Sequence, residues 1–94
     1  MNKTTLIKDI EEIIKNVFNF NIDYICKNKA NYQTENLFEL FDELKGRDLA
    51  YLLCHIENHF NIHINDNDII NGKFNCIQNI AELILSEKQK TLKI

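Results

Sequence analysis

The chain has 94 residues, 45% of them apolar, and a formal net charge of −3. That length specifies one domain with a modest core, and the acidic balance argues against a general nucleic-acid binder, which carries a basic excess. No apolar run reaches the roughly 18 residues needed to cross a bilayer, and Cys26, Cys54 and Cys76 are odd in number with no C-x-x-C pair, a pattern of a reducing cytosol.

The N-terminal residues lack the charged, apolar and small-residue series of a secretory signal. The expectation is therefore a single cytoplasmic helical domain over residues 1–94, monomeric, with neither nucleic acid nor membrane as partner. Proline is absent and glycine stands only at Gly46 and Gly72. Turns must rely on asparagine, which tolerates left-handed backbone.

Thr4 or Thr5 is expected to cap a first helix over Thr5 to Phe18, with Asp9, Glu11 and Glu12 following near its start. Leu6, Ile10, Ile13, Ile14 and Val17 repeat there at helical spacing. From Asn19 to Asn36 the signals are mixed and predict a long connection that lays its aromatics on the core, with a brief turn around Ile22 to Lys27. Leu37, Phe38, Leu40, Phe41 and Leu44 then form an apolar cluster of one or two helical turns.

The rest is expected to organise around the stretch Leu44 to Ile64. Leu49, Leu52, Leu53, Ile56 and Phe60 fall on one stripe of a helix, while Tyr51, Cys54, His55 and Asn58 point away from it. Asp48 is the expected N-cap or first-turn acid. Phe60-Asn61-Ile62-His63-Ile64 then leaves the helix in an extended turn that tucks two isoleucines inward. Asn65-Asp66-Asn67-Asp68 opens a short helix that Asn71-Gly72 stops. Asn75 is the expected cap of a last helix carrying Ile77, Ile80, Ala81, Ile84 and Leu85, and beyond Ser86 the lysine-rich tail, residues 87–94, is expected to fray.

This order of helices, with its long first connection, resembles the acyl carrier and peptidyl carrier protein family. The motifs that carry the resemblance are Phe60-Asn61-Ile62-His63-Ile64-Asn65-Asp66, similar to the family's exit from helix II, and Phe74-Asn75-Cys76-Ile77, similar to the start of its last helix. The resemblance spans nearly the whole chain. It implies an all-α, three- to four-helix bundle with a long loop between helices I and II.

It also implies a cofactor. The family esterifies phosphopantetheine to a serine at the head of helix II, where a hydroxyl is needed to form the phosphodiester. The matching position here is Gly46, or Asp48 if the alignment shifts by two residues, and neither has a hydroxyl. The only serine is Ser86, far along the last helix. The implied reading is a carrier-like protein with no cofactor and no catalysis of its own, docking to biosynthetic or peptide-modifying enzymes. It is similar in this to the acyl-carrier-related proteins of peptide-maturation systems. The alternatives are an active carrier with an atypical attachment residue and an unrelated helical adaptor.

In the family, partner enzymes read helix II, usually through its acidic residues. Asp42, Glu43, Asp48 and Glu57 keep some of that charge, and the expected docking centre is Arg47, Asp48, Tyr51, Cys54 and His55. The alternative is an ordinary solvated helix face. His55 and His59 have the i, i+4 spacing of a metal pair, but His63 falls beyond the helix and no acid or thiol completes a shell, so no metal is expected. Cys54 and His55 point about 100° apart on a helix and do not form a nucleophile–base pair. Asp66 and Asp68 read as helix-start acids, since a calcium loop needs a longer acidic series.

Overall fold

The computed structural model describes residues 2–20, 22–41 and 43–92, apart from the side chains of Cys26 and residues 90–92. The first helix, α1, runs over Lys3–Phe18 and buries Leu6, Ile7, Ile10, Ile13 and Ile14 along one side. Asn2, two to three residues before the threonines expected to do so, caps it by accepting the Thr5 N–H at 2.8 Å. Asn19 ends it in the left-handed region at φ 58°, and its N–H returns to the Lys15 carbonyl.

The last helix, Ile77–Leu92, is α6 in chain order, and it presents Ile77, Ile80, Ala81 and Ile84 with no exposed surface. Its strongest neighbour is α1. The helix over Gly46–Phe60, α4, contributes three buried side chains, Leu52, Ile56 and Phe60, against five from α1. Since α1 packs on α6, on α4 and on the short helix that follows it, α1 is the hub, and the stretch Leu44 to Ile64 is one of the elements arranged on it. Leu49 and Leu53 are half-buried at the edge of the same core.

The expected three- to four-helix bundle is corrected to six helices among the described residues. The difference lies in two short helices: α2, Ile22–Asn28, inside the long connection where a brief turn was expected, and α3, Leu37–Leu40, in the apolar cluster expected as one or two helical turns. Helices this short are unstable alone, and the first amides of α3 are satisfied from outside it. Asn36 accepts the Phe38 N–H at 2.9 Å. The Leu37 N–H donates to the Asn75 carbonyl and the Gln78 N–H donates to the Gln33 carbonyl, each at 2.8 Å. Each helix start is thus completed by the loop that precedes the other. This also replaces the expected Asn75 cap, whose side-chain oxygen instead accepts from the Asn79 amide at 2.8 Å. Tyr32 reaches back to Glu11 with its hydroxyl at 2.7 Å, and Phe20 and Tyr32 lie against the core as expected, whereas Tyr24 is 64% exposed.

At the exit of α4, Asn61 takes φ 55° and returns its N–H to the Glu57 carbonyl. The Glu57 carboxylate, on the helix's last turn, accepts the Ile64 N–H at 2.9 Å and meets His63 Nδ1 at 3.1 Å. That pair of contacts folds the chain back so that Ile64 is fully buried while Ile62 is half-buried. Asn65 then caps α5, Asp66–Ile70, by accepting the Asn67 N–H at 2.8 Å. Gly72, at φ 78°, makes the turn after it. Helix α6 continues to Leu92, past the point at Ser86 where fraying was expected. Asp42, Lys93 and Ile94, also considered in the sequence, lie outside the described residues. The radius of gyration, 12.9 Å, is close to the roughly 12 Å of a compact domain of this length.

Two stability measurements follow. Ile10→Val removes a methyl from a site with no exposed surface and is expected to cost about 1 kcal/mol in urea unfolding, while Ile70→Val, at a residue 78% exposed, changes stability by less than about 0.5 kcal/mol. Glu57→Ala leaves the Ile64 N–H without its acceptor and is expected to cost about 1–2 kcal/mol, with Glu57→Gln recovering most of the loss through its amide oxygen.

Candidate docking groove

Helix α4 turns one side to the core, and steps of about 100° sort the remainder. Tyr51, His55 and His59, spaced i, i+4 and i+8, form a row on the flank facing α1, where they line an open groove of about 470 Å³. The opposite wall comes from α1, with Asp9, Glu12 and Asn16 at its rim and Ile13 and Val17 supplying aliphatic surface. Arg47, Cys54 and Asn58 stand along the outer crest of α4, exposed. The five residues expected to form one docking centre are therefore divided. Tyr51 and His55 belong to the groove, Arg47 and Cys54 to the crest, and Asp48 is engaged in the backbone.

Asp48 is the third residue of α4, and its carboxylate accepts the Lys45 N–H at 2.9 Å, while its own N–H donates to the Lys45 carbonyl at 2.9 Å. Its negative charge also lies at the helix's positive end. Gly46 is the first residue of α4, and a Cβ built on it meets nothing within 4 Å. A hydroxyl-bearing side chain would fit there without a clash, but the glycine has none. The residues at the two candidate attachment positions therefore do not fit a phosphodiester-linked pantetheine.

Tyr51 is 55% exposed yet held in place by rings. Its centroid is 4.6 Å from His55, edge-on, and 6.5 Å from Phe18. Phe18 stacks on Phe20 at 5.4 Å and Phe20 on Phe41 at 4.8 Å, so the row of rings runs from the groove into the core. Where Phe18, Phe20 and Phe41 meet Ile14, Leu44 and Leu52, the packing leaves no room for a water molecule, and an acyl chain has no shelter there. Among the described residues no three His, Cys, Asp or Glu side chains converge as metal ligands. His63 belongs to the Glu57 turn, away from the His55–His59 row. Asp66 and Asp68 fall in the first turn of α5, and Asp68 pairs with Lys73 at 3.4 Å. Cys54 is exposed and Cys76 buried, both as free thiols.

The α1 wall was the part that sequence reasoning missed. Its signal was present: Asp9, Glu12 and Asn16 recur at i, i+3 and i+7 directly beside the apolar stripe that holds Ile13 and Val17. No family model, curated protein or solved structure matches this chain.

Because Gly46 has ordinary helical surroundings and open space at its Cβ, Gly46→Ala is expected to raise stability by about 0.5 kcal/mol through the unfolded state. A higher midpoint in thermal unfolding, with unchanged helical circular dichroism, checks this.

Proposed function

We propose that the chain is a non-catalytic, acyl-carrier-like docking component of a biosynthetic or peptide-maturation pathway, which engages a partner enzyme through α4 and carries no phosphopantetheine arm. The observation that carries this reading is Tyr51, a large aromatic side chain exposed on the flank of α4 that faces α1 and fixed there by ring contacts on two sides. Pre-ordered aromatic surface of this kind is enriched at protein interfaces and loses little side-chain entropy on binding. The neighbouring His55 and His59 imidazoles make no hydrogen bond among the described residues, so their ring nitrogens remain available to a partner. The lack of a hydroxyl at Gly46 and Asp48 supports the armless half of the proposal.

Each half has its own test. Incubation with coenzyme A and a broad-specificity pantetheinyl transferase is expected to leave the intact mass unchanged, and an added pantetheine mass overturns the armless reading. Biosynthetic or peptide-modifying enzymes captured on the wild-type chain are expected to be lost roughly tenfold on the Arg47→Ala/Tyr51→Ala variant, the effect of removing an interface anchor. Equal recovery on both would remove α4 as the docking face.

A further inference from the structure

We infer that the α1–α4 groove receives an amphipathic helix of the partner, presenting a lysine or arginine to Asp9 and Glu12 and an apolar side chain to Tyr51. This rests on the docking reading above and adds the chemistry of the partner. The two walls differ along their length. Tyr51 stands beside Phe18, at the C-terminal end of α1, whereas Asp9 and Glu12 lie further back along that helix. Phe18 lies six positions beyond Glu12, about 9 Å of helix rise, so one side chain does not occupy both ends. A helix carrying its two anchors one to two turns apart does.

Charge selects the cation. The groove is lined by two carboxylates and by no lysine or arginine. Neither carboxylate is committed within the fold: Asp9 and Glu12 make no ion pair or hydrogen bond among the described residues. Of the charged side chains near them on α1, Lys8 makes no ion pair or hydrogen bond among the described residues, and the others are engaged. Glu11 accepts from Tyr32, Lys15 pairs with Asp23 at 3.6 Å, and Lys3 with Glu82 at 2.9 Å. A cation entering the groove therefore meets unpaired negative charge and breaks no existing contact. Ile13 and Val17, between the two ends, offer aliphatic surface for the methylene stem of that cation.

The probe is an acetylated, amidated peptide of roughly 15 alanine, leucine and lysine residues, long enough to populate a helix, with leucine and lysine two turns apart on one face. Its control has every lysine replaced by glutamine. In amide chemical-shift titrations the lysine peptide is expected to perturb residues 9–17 and 51–59. The glutamine peptide, and the lysine peptide on the folded Asp9→Asn/Glu12→Gln variant, are expected to bind roughly tenfold more weakly, and added salt to weaken the wild-type complex. Equal binding of the two peptides, unchanged binding by the variant, or shifts outside the groove would overturn the inference. Loss of enzyme capture by Arg47→Ala/Tyr51→Ala but not by Asp9→Asn/Glu12→Gln would leave α4 docking standing and remove the cationic partner alone.

Discussion

Leu6, Ile10 and Ile14 recur every fourth residue of α1, and Ile77, Ile80 and Ile84 repeat at helical spacing on α6; all six have essentially no exposed surface. The seam between these two helices is the constraint on which the other elements depend. Isoleucine is not a strong helix former, because its branched side chain loses rotamer freedom against the preceding turn. Burial outweighs that cost, at about 1.5–3 kcal/mol for each such side chain against a propensity penalty below about 0.7 kcal/mol. The long helices are thus stabilised chiefly by one another. With α1 fixed on α6, α4 takes its place on α1, and the groove lies between residues of these two helices.

The side chains of α4 show how a polar helix face is divided among different tasks. Asp48 and Glu57 bear the same charge and sit near opposite ends of the helix, and both are engaged with backbone amides, one at the entrance and one at the exit. Neither is therefore a free acid on a partner-facing surface. The negative charge that lines the groove beside α4 belongs to α1, in Asp9 and Glu12. Counting acids along the second long helix alone attributes a docking charge to residues that hold the helix in shape.

The long helices and their apolar stripes were legible in the sequence because local spacing sets them, and so was the general reliance of turns on asparagine, though not that Asn19 and Asn61 are the ones that turn left-handed. Local pattern anticipated α2 as a brief turn around Ile22 to Lys27 and α3 as one or two helical turns, but not how α3 is held. The Leu37 N–H of α3 reaches the Asn75 carbonyl, and Gln33, in the loop before it, accepts from the Gln78 N–H, so both bonds join parts of the chain far apart in sequence. The groove was half legible for the same reason. Tyr51 and His55 could be assigned to an outward flank, but a cleft needs two walls, and nothing in the periodicity of α4 reveals which residues of α1 stand opposite.

The α1–α6 seam also has a temporal consequence. During synthesis the first long helix emerges early, yet the surface that completes it is made only when residues 77–84 leave the ribosome. Until then its isoleucines remain wetted or held by temporary partners, and closing so long a loop adds an entropic delay that grows slowly with length. With no proline anywhere in the sequence, no slow prolyl isomerisation follows that meeting of the ends.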